Sequence, residues 1–85
     1  MRGNMQITPE ASRAGRGLLG WTLERLAAES GVGFGTLSRF ENGRALRSAT
    51  AAKIIAAFDA EGVELITGPD RTGAVLVYAR RKDGE

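Results

Sequence analysis

The chain has 85 residues, 42% of them hydrophobic and 26% charged, with a formal net charge of +2. One small compact domain fits that length; collagen-like, disordered and bilayer-spanning chains do not fit that composition. Cysteine and histidine are both absent, which removes disulfides, zinc–thiolate sites, the commonest general base and the commonest metal ligand together.

No apolar stretch follows Met1-Arg2-Gly3-Asn4-Met5-Gln6, so no secretory leader is expected and a cytoplasmic location is. Ile7-Thr8-Pro9-Glu10 opens the first helix. Thr8 supplies an N-cap oxygen, Pro9 fits the first helical position, and Glu10 complements the helix dipole. Ala11, Ala14, Leu18 and Leu19 recur at helical spacing, and Gly20 stops the helix. Gly15 and Gly17 lie inside it, either to admit a neighbouring group or simply to weaken it.

Thr22 caps the second helix, and Trp21 before the cap faces Leu26 as a hydrophobic staple. Leu23, Leu26 and Ala27 form its apolar stripe, and Gly31 ends it. Val32-Gly33 is a tight link. The third helix is expected over 34–42, with Leu37 and Phe40 inward and Gly43 closing it. A linker, Arg44-Ala45-Leu46-Arg47, leads to Ser48 as the next cap. The fourth helix is expected over 49–61, with Ala51, Ile54, Ile55 and Phe58 inward and Gly62 at its end.

The period then changes to that of strands over 63–67 and 74–79, with a six-residue turn cluster over 68–73 between them. Alternation places Val75, Val77 and Ala79 on one face of the second strand and Leu76 and Tyr78 on the other. Both faces are apolar, and a lone two-stranded hairpin is marginal in water. The strands are therefore expected to pair or pack with those of a second subunit, through Val75, Leu76, Val77 and Tyr78.

Charge is uneven along the chain. Up to Ile55, eight basic residues stand against four acidic ones, a balance of +4; beyond it the balance is −2. Ten of the twelve basic residues are arginine, the side chain best suited to bidentate phosphate contact. A helix, a glycine turn and a second helix describe a helix-turn-helix. Its sequence runs Leu19-Gly20-Trp21-Thr22-Leu23-Glu24-Arg25-Leu26-Ala27, then Gly31-Val32, then Thr36-Leu37-Ser38-Arg39-Phe40-Glu41-Asn42-Gly43. From about Thr8 to Glu61 the chain resembles the Cro/repressor family of helix-turn-helix proteins, also called the xenobiotic-response-element type.

The resemblance implies a mainly α fold, a lambda-repressor-like helix-turn-helix bundle of four to five helices over 8–61, here followed by a C-terminal β-hairpin over 62–80. It implies a homodimer on double-stranded DNA, with the third helix in the major groove. By position Phe34, Gly35, Thr36, Ser38 and Arg39 would read bases, while Arg13, Thr22, Asn42, Arg44 and Arg47 would hold phosphates. Phage repressors of the family pair an arginine late in the first helix with a glutamate ending the third; the matching residues are Arg16 and Glu41, with a structural role. The chain departs from the family at Gly33, Gly35 and Leu23, where polar residues are usual.

Side-chain chemistry supports the same reading. Arg39 can reach guanine bidentately, Phe34 can touch a thymine methyl, and Thr36 and Ser38 can serve either base type. A dinucleotide cradle needs a preceding strand and an acidic residue about 20 positions later; a helix precedes Gly31-Val32-Gly33-Phe34-Gly35, and the spacing is wrong. Asp59, Glu61 and Glu64 read as a solvated face and not a metal site. The expectation is a small dimeric repressor-type regulator with no catalytic residue, cofactor or metal. A module binding a toxin or another regulator is the alternative, and no membrane association is expected.

Overall fold

The computed structural model describes residues 7–81. Its helices are α1 (Pro9–Leu19), α2 (Leu23–Ser30), α3 (Phe34–Glu41) and α4 (Ser48–Ala60), followed by strands β1 (Val63–Gly68) and β2 (Arg71–Leu76) and a single 3-10 turn at Tyr78–Arg80. The fold is mainly helical, four helices and an antiparallel hairpin.

Local chemistry sets the helix ends. Thr8 accepts from the Ala11 N–H and Thr22 from the Arg25 N–H, while Gly20 and Gly31 close α1 and α2 in the left-handed conformation. Gly31 makes the sharp turn into α3. Ser30 braces it, donating from Oγ to the Leu26 carbonyl at 2.7 Å and accepting from the Val32 N–H at 3.2 Å. α4 begins one residue earlier than expected: Ser48 is already helical and Arg47 is the cap, with no side-chain hydrogen bond, because the Arg47 carbonyl accepts the first helical bond from Ala51.

The core gathers Trp21, Leu26, Val32, Leu37, Ile54, Ala57, Phe58 and Val63. Trp21 and Leu26 both enter it, and the Trp21 ring stacks on Phe58 at 5.9 Å between centroids. In α4 the inward places go to Ala51, Ile54, Ala57 and Phe58, with Ile55 half-buried. The buried face of α1 differs from the expected stripe: Ala11, Ser12 and Gly15 are inside, and Leu18 is exposed. Tertiary partners cause this. Ser12 donates to a buried carboxylate, and Gly15 admits the Phe58 ring.

The hairpin also differs from its expected form. Its turn has two residues, Pro69-Asp70, and pairing extends from Val63↔Leu76 to Gly68↔Arg71. Proline's fixed φ suits the first turn position, and Arg71, Thr72 and Gly73 become strand because 66–68 pair with them. The second strand ends at Leu76. The Val77 N–H donates to the Gly62 carbonyl, and the chain enters the 3-10 turn. Val77 and Tyr78 therefore lie beyond the strand, where alternation no longer assigns faces. Val63, Leu65, Ala74 and Leu76 face the domain's own core, while Ile66 and Val75 face outward. β2 lies along α1, and the Thr8 and Thr72 hydroxyls meet there.

The two α1 glycines have different roles. A Cβ on Gly15 would stand 2.8 Å from the Phe58 ring, whereas one on Gly17 would meet nothing within 4 Å. Gly17→Ala is expected to stabilise the fold by about 0.8–1 kcal/mol through helix propensity alone. Gly15→Ala is expected to cost about 1–2 kcal/mol net, because overpacking outweighs that gain. Urea unfolding of the two variants checks this; equal shifts would refute the close approach.

Candidate nucleic-acid interface

A buried carboxylate orients α3. Glu41, the last residue of that helix, is only 8% exposed. Arg16 donates to both of its oxygens, Nη2 to Oε1 at 2.6 Å and Nε to Oε2 at 3.0 Å. Ser12 Oγ donates to Oε2 at 2.6 Å. Arg16 also donates to the Trp21 carbonyl at 3.2 Å, and Arg13 to the Glu41 backbone carbonyl. The two residues expected to pair thus meet in a bidentate fork, with Ser12 and Arg13 completing it. Ser12 precedes Arg16 by four residues, one helical turn on the same face; that spacing was the sequence signal for a shared partner.

Leu37 and Phe40 hold the inner side of α3 in the domain. The opposite side is open. Phe34 is 47% exposed, so it is not a core aromatic, and Gly35 and Arg39 are exposed beside it. Thr36 and Ser38 are half-buried. The cap of α3 is Gly33, with no side-chain hydrogen bond, and its first turn holds no acidic residue. The N–H groups that begin α3 therefore carry the positive end of the helix dipole without a carboxylate against it.

A cleft of about 370 Å³ lies beside α3, lined by Thr36, Arg39, Arg44, Ala45, Leu46, Arg47 and Thr50. Three sequence-singled arginines, 39, 44 and 47, converge there; Thr50 and the Ala45-Leu46 floor were not anticipated. Thr22 is exposed at the start of α2, its oxygen capping that helix and its hydroxyl proton free to donate. Asn42 spends one amide proton on the Ser38 carbonyl at 2.8 Å. Arg13 is drawn to the end of α3 and away from the cleft. Leu23, where the resemblance implies a polar residue, packs on the core.

Most other arginines are neutralised. Arg25 pairs with Glu29 at 2.8 Å and lies over the Trp21 ring at 5.2 Å. Arg71 pairs with Asp70, and its hydrogen bond holds that carboxyl below its ordinary value. Arg80 bridges Asp59 at 2.7 Å and Glu64 at 3.2 Å; the Asp59 hydrogen bond is the chief reason its guanidinium is raised above its ordinary value. Two of the three acidic residues considered as a cluster are thus joined by a cation. Among the described residues no carboxylate pairs with Arg39, Arg44 or Arg47.

A glycine-turned helix pair, its second helix open on one side and flanked by arginines that no carboxylate of the described residues pairs with, defines a helix-turn-helix domain. The helix-turn-helix family model matches residues 13–65, well over half of the chain. No curated protein and no solved structure matches it. The chain belongs to the helix-turn-helix family of the xenobiotic-response-element type, a family of DNA-binding regulators.

Removing the carboxylate tests the support beneath α3. Glu41→Gln leaves Arg16 without its counter-charge and is expected to cost about 2–4 kcal/mol; Arg16's partial exposure keeps it below the fully buried case. Glu24→Gln, on the exposed face of α2, is expected to stay within about 0.5 kcal/mol of the parent. Chemical denaturation of both variants provides the comparison.

Proposed function

We propose that this protein is a sequence-specific transcriptional regulator of the repressor type that binds an operator as a homodimer. α3 enters the major groove, with Arg39, Phe34, Thr36 and Ser38 toward base edges. Arg44, Arg47, Thr22 and the second amide proton of Asn42 hold phosphates. The observation that carries the reading is the placement of charge: among the described residues Arg39, Arg44 and Arg47, which line the cleft beside α3, have no carboxylate partner, while Arg16, Arg25, Arg71 and Arg80 are paired. Arginines that meet phosphates displace the counterions condensed on them, which supplies affinity. Among the described residues no helix is long and apolar enough to cross a membrane.

Operators are read by pairs of domains whose half-sites lie roughly 34 Å apart, one turn of DNA. The outward face of the hairpin and the 3-10 turn that follows it offer the contact for such a pair. Ile66 is 37% exposed, Val75 44% and Tyr78 78%. Leu76 belongs to the domain's own core rim, so the dimer contact is assigned to Ile66, Val75 and Tyr78. The same exposed apolar face favours the second reading, in which it receives a toxin or another regulator.

Selection from random duplexes at roughly 50 and 200 mM salt separates these readings. An inverted repeat, with binding that falls steeply between the two salts, is the expected result. No enrichment and no salt-sensitive retention would remove DNA as the partner. Arg44→Ala is expected to weaken all sequences alike and lower the salt slope by about 1. The pair Ile66→Glu and Val75→Glu is expected to weaken self-association in sedimentation with little change in melting of the single domain. Unchanged association would place the dimer contact elsewhere.

A further inference from the structure

The glycines at the start of α3 look like lost reading side chains, but one of them has a neighbour. A Cβ built on Gly35 would stand 3.4 Å from Arg39 Nη1, 3.9 Å from Nη2 and 4.0 Å from Cζ, ordinary contact distances, so alanine fits and only a longer side chain would take the space of the guanidinium. Long helical side chains point back toward the helix N-terminus, over the residue four places earlier. Arg39 follows that rule, and its guanidinium lies over the bare backbone of Gly35. The charge of a residue in the last turn of α3 is thereby carried into its first turn.

That position is unfavourable for a cation in the free protein. It faces the positive end of the helix dipole, and α3 has no acidic residue in its first turn. Glu29 is taken by Arg25, and Glu24 makes no ion pair among the described residues. Among the described residues the Arg39 guanidinium has no carboxylate partner, and Gly33 gives the first N–H groups of α3 no side-chain cap. The N-terminal half of a recognition helix is the part that meets base edges. A fork of donors there matches the N7 and O6 acceptors of guanine.

We infer that Gly35 is a specificity-determining residue: its missing side chain is the seat on which the Arg39 guanidinium reaches forward to read one guanine in each half-site. The inference rests on the proposed DNA-binding function. Gly35 acts as a positioning residue and contributes no contact of its own. Phe34 and Thr36 flank the seat, and Thr36 shares the cleft wall with Arg39.

The test measures discrimination at each base pair of the selected operator for the parent, Arg39→Ala, Gly35→Ala and Gly35→Leu. Alanine and leucine are better helix formers than glycine, so α3 is retained; thermal melting of each variant verifies this. Arg39→Ala is expected to lose about ten- to hundredfold discrimination at one guanine-containing pair. Gly35→Leu is expected to lose about tenfold or more at that same pair, and Gly35→Ala to keep the parent's discrimination. The salt slope is expected to stay as in the parent for both Gly35 variants, since no charge is removed. If Gly35→Leu leaves that pair's discrimination intact while Arg39→Ala abolishes it, the seat is refuted and the DNA reading stands. If Arg39→Ala changes no base preference either, the seat and the base-reading role of Arg39 both fall; only failure to select any operator would overturn the DNA reading.

Discussion

Glu41 is a carboxylate with almost no access to water, a position that costs several kcal/mol unless its charge is matched and its lone pairs are filled. Ser12 and Arg16 fill them, and Arg13 takes the backbone carbonyl of the same residue. Arg16 extends the connection to Trp21, whose N–H donates back to the Arg16 carbonyl at 2.8 Å. A single cluster therefore joins α1, the junction into α2 and the end of α3. Apolar residues of the same volume would also pack there. Directional bonds add what packing does not: they fix the rotation of α3 about its own axis. That rotation decides which of residues 34–39 face outward.

The apolar core takes its shape around this support. Trp21 sits at the junction that Arg16 fastens, and it stacks on Phe58 of α4. Phe58 in turn occupies the space that Gly15 leaves on α1. A chain of this size buries little surface and has few such contacts to lose. The hairpin adds Val63, Leu65, Ala74 and Leu76 to the same core, so it completes the domain that carries α3 as well as presenting an outer face. Arg80 ties the end of that hairpin to the last turns of α4 through Asp59, and Gly62 lets the chain fold back at φ +82.

Features set by neighbours in sequence were legible from it. Thr8, Thr22, Gly20 and Gly31 act through backbone groups within four residues, so their residue types announce the helix ends. The buried face of α1 was not legible, because Ser12 and Gly15 are inside on account of Glu41 and Phe58, dozens of residues away. The strand character of Arg71-Thr72-Gly73 comes from the partner strand and not from those residue types. Alternation failed at Val77 because Gly62 captures its N–H. The interface divides the same way. Its arginines could be seen in the sequence, but Arg13 and Arg39 look alike there. Only tertiary structure shows one bound to the end of α3 and the other lying over Gly35.

Net charge is a poor guide to what a phosphate would meet on this surface. At physiological salt, fields fade over about 8 Å, so local unpaired groups matter more than the sum over the chain. Exposed pairs such as Arg71–Asp70 and Arg25–Glu29 contribute little to stability. They do remove those arginines from competition for an anion. With Arg80 also held by two carboxylates, Arg39, Arg44 and Arg47 are left without one among the described residues, beside α3 and the start of α4. A phosphate at the face where Phe34 and Arg39 are exposed would meet cations not already held by a carboxylate. The acidic residues of the rest of the chain shape the interface by what they neutralise elsewhere.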